Sequence, residues 1–544
     1  MTLSHLLLGG RFATLISLFS VAYLFLFLPV SLILYSVTPQ KLRRYALLLI
    51  SYMFYWLISG ELIAYLLVST LGIHYFGLWL DRVHAQRAEA LAAAPREEKK
   101  ALRAAWQKKL RRVLALAVLV HLGALLVVKY SAFFTWNINT LFQAIHVPLS
   151  MRMPRYAQPL GISFFTMQAL AYILDVYRGT RKADDNLGRL ALFMAFFPQI
   201  VEGPICRYQD TAEALWNARG IEFKNLKFGL QRIAFGMMKK VVVADRLNQL
   251  IEAVFKAPQD FSGAAIALTA VCYTIQLYMD FSGSMDAVCG TAQIFGVTMP
   301  ENFQRPFFSR TISEFWQRWH ITLGTWFRDY LFYPISVSGP MKSLTLSARR
   351  KLGNHYGPLL AGGAALLCVW FCNGLWHGAG WNYIVFGLYH FVLIYLGSVI
   401  APVARGMNAK LKIDANALPY RVFQILRTAL LVVVGEVFFR ADQVGKAFFM
   451  LRRIFTDFNG VTLFDGTLKW LRVDAMECLI VCATLLIVFV VGLLKERGHN
   501  LREAIDRRNI VVRWAVLYAL LMYIVIFGAY GVGYVPVDPM YANF

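Results

Sequence analysis

The chain has 544 residues, 58% of them hydrophobic and only 16% charged, with a mean hydropathy of +0.52. That balance excludes a soluble enzyme and fits a polytopic membrane protein. The net charge of +24 does not point to nucleic acid, because the basic residues lie in short segments between apolar runs, as the positive-inside rule expects.

A bilayer crossing needs about 20 apolar residues. Runs of that kind fall near 12–36, 45–59, 61–80 and 113–136. The first, from Phe12 to Leu34, is too long for a cleavable signal. A stretch punctuated by proline and glycine follows at 159–206, then runs near 226–246 and 264–290. In the interfacial segment 311–335, Trp316, Trp319, Leu323, Trp326 and Phe327 recur at helical spacing, with Arg318 and Arg328 among them and Arg310 just before, which predicts a helix suited to a membrane interface or a channel wall. Runs near 356–376, 381–400, 418–438, 475–494 and 511–531 complete the set. The predicted fold is all-α: a polytopic transmembrane helical bundle of roughly 10–12 crossings with re-entrant or interfacial helices, read as a single membrane domain over 1–544.

Charge sets the expected orientation. Basic residues concentrate in the first loop (Lys41, Arg43, Arg44), in 82–112, 342–351, 405–412 and 495–508. Placing all of them in the cytoplasm leaves both termini outside. The segment 82–112 reads as an alanine-rich helical hairpin on the membrane surface with a solvated face. Residues 440–473 form the largest external loop, joined there by Val532 to Phe544. The seven cysteines include no CxxC pair, so they read as buried thiols and not as a zinc site or a disulfide framework.

Three segments break the rules of a lipid-facing helix. Residues 159–178 begin with Pro159 and Gly161 and end with Asp175 and Arg178. Residues 197–208 hold two prolines and Glu202, and 278–286 place Asp280 and Asp286 in an apolar run. Irregular or charged sequence at membrane depth is tolerated where protein or water surrounds it, so a polar cavity inside the bundle is expected. His320 and His377 stand out near it. His377 ends an apolar run and precedes Gly378 and Gly380, whose missing side chains would leave room for a substrate.

Several of these blocks together carry a resemblance. They are PLGISFFTMQALAYILDVYRG (159–179), FPQIVEGPICRY (197–208), DFSG (280–283), PENFQRPF (300–307), EFWQRWHITLGTWFRDYLFYP (314–334), GLWHGAGWNYIVFGLYH (374–390) and EVFFRA (436–441). They resemble the signature blocks of the membrane-bound O-acyltransferase family, in particular its bacterial branch typified by the alginate O-acetyltransferase membrane component. The motif similarity covers about 159–441, taken as the catalytic core. The resemblance implies a funnel-shaped bundle, thin at its centre, with a tunnel joining the two membrane faces. It implies acyl transfer from a cytoplasmic thioester, such as acetyl-CoA, to an extracellular polysaccharide, with a secreted or periplasmic acetyltransferase as partner. It gives His377 the active-site role and makes His320 the second histidine. D-alanyl transfer to teichoic acid from a phosphopantetheine carrier protein is the near relative. The implied location is the inner membrane of a bacterial cell.

Side-chain chemistry agrees with an acyl transfer. A sugar hydroxyl needs a base to attack a thioester at neutral pH, and imidazole titrates in the right range. His320 could orient His377, act as base itself, or hold the acyl carbonyl. Arg318, Arg328, Arg305 and Arg207 are candidates for donor phosphates or an anionic acceptor. Trp316, Trp319 and Asp280 are further donor- or substrate-binding candidates, and His390 reads as structural. No metal site and no nucleotide-hydrolysis or metalloprotease motif is visible. A secondary transporter is the reading from another class, since interrupted helices with Asp280 and Asp286 would suit one.

Overall fold

A computed structural model describes residues 17–466, 468–471 and 474–530. The segment Val532 to Phe544 and both termini lie outside the described residues. Among the described residues there are helices and irregular segments, with a single isolated bridge between Phe303 and Trp319. Among the described residues, eight helical segments are long and apolar enough to cross a bilayer. The fold is therefore an all-α polytopic membrane protein. The expected runs at 45–59 and 61–80 share one of these segments, Arg43–Ala93, interrupted by a 3₁₀ turn at Gly60–Leu62.

The described residues cluster into two compact units, one holding those up to Leu230 together with Ala287–Pro300, the other Gln231–Asp286 and those from Glu301 onward. In the first, α1 (Leu28–Val37) and α2 (Arg43–Ser59) precede α3 (Ile63–Ala93) and α4 (Lys99–Leu125). α3 and α4 pack side by side and are joined by only a short turn. The basic stretch 82–112 is thus a helical hairpin, as expected, built from the continuing ends of two long helices. A π-turn, Leu126–Tyr130, leads into α5 (Ser131–Ala144).

Next come α6 (Ile162–Arg178), α7 (Leu187–Ala195) and α8 (Tyr208–Asn217). The irregular chain between α7 and α8 is buried from Phe196 to Cys206. Gly161, at φ 70°, lies against the backbone of Ile200, where any side chain would strike the carbonyl. Irregular backbone that protein surrounds is the tolerated kind at membrane depth.

Two helices, α9 (Phe223–Met237) and α11 (Gly263–Ile294), contribute residues to both units. In the second unit a π-segment, Met238–Ala244, carries α9 into α10 (Asp245–Lys256). Gly236 and Gly283 let α9 and α11 touch backbone to backbone: a Cβ on Gly236 would sit 2.5 Å from the Gly283 carbonyl oxygen. Small residues at a crossing permit this approach. Beside it, Lys239 pairs with Asp286 at 2.6 Å and Lys240 with Asp280 at 2.8 Å. Asp280 and Asp286 therefore sit in an unbroken helix, each neutralised by a lysine from the π-turn.

Two short helices follow, α12 (Ile312–Arg318) and α13 (Ile321–Phe327), then α14 (Gly339–His377). α14 bends at Gly353, whose φ of 80° and ψ of −177° only glycine adopts readily. The basic segment 342–351 is accordingly helical. α15 (Trp381–Lys410) packs along α14, and α16 (Leu418–Arg440) packs on α15. The segment expected as an external loop contains α17 (Val444–Thr456). The chain then passes through α18 (Ala475–Glu496), α19 (Leu501–Asp506) and α20 (Ile510–Phe527). Cys478 and Cys482 are exposed rather than buried, because α18 shows nearly all its surface to the surroundings.

Candidate active site

The segment expected as a helix breaks at Trp319 and His320. Trp319 is extended, and His320 adopts the left-handed conformation at φ 45°, ψ 52°. Histidine is among the few residues that enter this region with any frequency, at some cost. Asn302 holds the turn in place. Its Oδ1 accepts from the Thr322 backbone N–H at 3.0 Å and from the Thr322 hydroxyl at 2.7 Å. Its carbonyl accepts from Ile321 N–H at 3.1 Å, and the Arg318 carbonyl accepts from Gln304 N–H at 2.9 Å. Residues 302–304 thus clamp the break between α12 and α13 as a short bridged pair.

The clamp points His320 into the protein, where 2% of it is exposed. Its ring lies edge-on to Phe281 at 4.9 Å and to Trp376 at 5.7 Å between centroids. Burial pushes its imidazole down to about 3, so the ring is neutral at pH 7. His377 is the last residue of α14, 5% exposed, with its ring beside Trp376 (5.0 Å), Phe439 (5.1 Å) and Phe386 (5.9 Å). The two histidines, 57 positions apart in the sequence, thus share Trp376 as a neighbour.

Gly378 and Gly380 do not leave open space for a substrate. The Tyr383 ring fills the place where a Gly378 side chain would be, and Asn382 does the same at Gly380. The glycines admit Tyr383 onto the end of α14, and Tyr383 in turn stacks edge-on against Phe439 at 5.3 Å.

The other expected site residues separate into two groups. Trp316 joins His390: its indole N–H donates to His390 Nδ1 at 3.2 Å, and its ring also meets Trp370. His390 is wholly buried, and Gly435 makes room for its Nε2. Trp319 is packed between Phe303 and Phe315. Arg305 and Arg318 belong to a charged network. Arg305 bonds Glu496, and Arg318 reaches Glu496 at 3.0 Å and Glu314 at 2.9 Å. Arg328 pairs only with its neighbour Asp329 among the ion pairs seen and is half exposed. Asp280 is tied to Lys240.

Three buried polar atoms near these rings have no hydrogen-bond partner among the described residues: Asn373 Oδ1, His390 Nε2 and Glu436 Oε2. Buried polar groups are nearly always paired, so such atoms mark a place where a ligand or water belongs. Asn373 lies one turn before His377 on α14, and Glu436 one turn before Phe439 on α16. Sequence reading did not single out Trp376, Asn302, Phe439 or Glu436 as site residues. Each lies inside one of the motif blocks, which was the available signal.

A profile of the membrane-bound O-acyltransferase family matches residues 186–348, a stretch that includes His320. The probable alginate O-acetylase AlgI of Azotobacter vinelandii is 32% identical over 469 residues, covering 86% of this chain and 82% of that protein. The chain belongs to the membrane-bound O-acyltransferase family. The chain is also similar to the peptidoglycan O-acetyltransferase of Helicobacter pylori, 28% identical over 64% of this chain and 66% of that protein. The teichoic acid D-alanyltransferase of Bacillus subtilis is 31% identical over 43% of this chain and 58% of its own length. The protein is an O-acyltransferase.

Proposed function

We propose that this acyltransferase moves an acetyl group from a cytoplasmic thioester, acetyl-CoA or another acyl donor, across a bacterial inner membrane to a polysaccharide outside the cell. The observation that carries this reading is the meeting of two buried histidines from separate motif blocks around Trp376. His377 acts as general base. It takes the proton of the acceptor hydroxyl as that oxygen attacks the thioester carbonyl. The carbon–sulfur bond breaks, and the proton passes to the departing thiolate. His320, held neutral with a depressed pKa, is a poor proton acceptor at pH 7 and serves better to orient His377 or the acyl group.

Acetyl is favoured over D-alanyl transfer because the similarity to the alginate O-acetylase spans 86% of the chain, against 43% for the D-alanyltransferase. A secreted acetyltransferase is the expected next acceptor of the group, and an acyl carrier protein would be the donor only in the D-alanyl case. Among Arg305, Arg318 and Arg328, Arg328 is the one that meets a donor phosphate without breaking a network, since Arg305 and Arg318 are tied to Glu496. A transporter reading loses its main support, because Asp280 and Asp286 are neutralised by Lys240 and Lys239.

Inside-out membrane vesicles given acetyl-labelled CoA test the reading. Label should appear in lumenal polysaccharide or on a lumenal partner protein. Label that enters only from a D-alanyl carrier protein would replace acetyl transfer with the D-alanyl reaction.

A further inference from the structure

The stretch that follows α16 carries apolar surface that the protein leaves uncovered. α17 turns Ala447 and Met450 inward, and both are wholly buried. Phe448 and Phe455, two turns apart and so on one flank, are 57% and 86% exposed. The chain beyond the helix continues the pattern, with Phe458, Val461 and Phe464 all exposed. Arg452 lies between the two phenylalanines on their flank, is exposed, and makes no ion pair among the described residues. The opposite flank holds its charges in pairs, Lys446 with Asp442 and Arg453 with Asp457, each at 2.9 Å. The stretch is also fastened to the ends of two other helices. A short turn joins it to α16, and Gly263, the first residue of α11, donates its N–H to the Asp457 carbonyl at 2.9 Å. The Ser262 and Thr462 hydroxyls share a hydrogen bond at 2.6 Å, and the Asn459 carbonyl accepts from the Thr462 hydroxyl at 2.8 Å.

From this arrangement we propose that residues 444–464 form an interfacial anchor, with Phe448, Phe455, Phe458, Val461 and Phe464 seated in the phospholipid leaflet at this end of the spans and the Arg452 guanidinium among the headgroup phosphates. Leaving five large apolar side chains in water is unfavourable, and an exposed apolar patch of this kind marks a membrane or protein contact. The pattern is that of helices that lie in a membrane surface, with apolar side chains in the acyl boundary and basic ones toward the headgroups. A long arginine side chain reaches the headgroups from an apolar flank. α11 and α16 are both long and apolar enough to cross the bilayer, so the leaflet is the apolar phase nearest their ends. A protein partner suits the patch less well. Protein interfaces carry a polar rim and about ten hydrogen bonds, and the polar groups beside this patch, Ser262, Asn459 and Thr462, are already bonded to one another. The stretch expected as an external loop thus lies in the membrane surface, close to the site: Phe448 meets Phe438 at 5.2 Å, and the next residue, Phe439, lies beside His377. Nothing in the inference depends on which acyl group is transferred.

The test is photocrosslinking of the full chain in native membranes. p-Benzoylphenylalanine replaces Phe455, Phe458 or Phe464 singly, and Asp442 as the control beside the opposite flank. Adducts formed on irradiation are identified by mass spectrometry. Positions 455, 458 and 464 should each carry phospholipid, and position 442 none above the unirradiated sample. The Phe455→Glu/Phe464→Glu double change, which lifts the stretch off the leaflet, should abolish the phospholipid adduct at 458. Protein adducts at the three positions overturn the proposal and assign the patch to a partner. Absence of phospholipid at all three also overturns it, and places the stretch in water. Both outcomes hold whether or not the double variant folds. An undiminished adduct at 458 in the folded double variant overturns the proposal as well.

Discussion

His320 combines a strained backbone with a buried, neutral ring, and both properties are open to measurement. Asparagine tolerates the left-handed conformation well, so His320→Asn should fold while removing the imidazole. Its acetylation should fall strongly. The pH dependence of its stability should also change. Because the folded pKa, about 3, lies below the ordinary value of 6.5, this ring contributes no penalty above pH 6.5. Below that the unfolded state takes up a proton that the folded state refuses, so stability falls with pH down to about 3. Across that window the wild-type protein should lose about 1.4 kcal/mol per pH unit more than His320→Asn, as read by chemical unfolding in micelles. Equal slopes would mean that the ring is not buried as neutral imidazole. A second prediction concerns Trp316. It was expected to contact substrate, but its indole N–H serves His390. Trp316→Phe keeps an aromatic ring and leaves His390 Nδ1 unpaired, which should cost about 1–3 kcal/mol of stability. Transfer per folded molecule should stay near the wild-type rate; a large loss would return Trp316 to the substrate site.

At the scale of elements, the crossing of α9 and α11 joins a glycine contact to buried ion pairs. Asp286 neutralises both Lys239 and Arg232 with 15% of its side chain exposed. Asp286→Asn would leave Lys239 without its counter-charge and Arg232 with Glu301 alone, and removing a buried partner typically costs about 3–5 kcal/mol. The variant should show a clearly lower thermal midpoint, and Lys239→Met added to it should recover part of the loss. If Asp286→Asn were as stable as the wild type, the carboxylate would have another use, and the transporter reading would regain its support. The lysine partners were not legible from the sequence. An aspartate in an apolar run signals that something must balance it, but the partner lies 40 or more positions away, at 239 and 240. The break at His320 was hidden for a related reason. The apolar pattern of 311–335 has helical period, and local pattern outvotes a single turn that depends on Asn302 holding it from outside. Gly378 misled in the opposite sense, since a missing side chain reads as open space until Tyr383 is seen to fill it.

For the whole molecule, composition and apolar runs were sufficient to fix an all-α membrane bundle, because each span buries its own backbone hydrogen bonds and so announces itself by length alone. Positive residues also imply an orientation. Ser347 lies exposed on the basic first part of α14, and a cysteine placed there should react with an impermeant thiol reagent only after cells are permeabilised. Reaction in intact cells would invert the topology, and with it the side from which the donor arrives. The convergence of His320 and His377 on Trp376 was only partly legible, since each block names its histidine but not their shared neighbour. On the proposed function, His377 transfers a proton during acyl transfer. Its most direct test is the single-turnover rate of label transfer from acetyl-CoA in vesicles carrying His377→Gln, at matched levels of folded protein. Glutamine can hydrogen-bond but cannot accept a proton at neutral pH, so the rate should fall by roughly 10²–10⁴-fold. A rate close to that of the wild type would contradict the account.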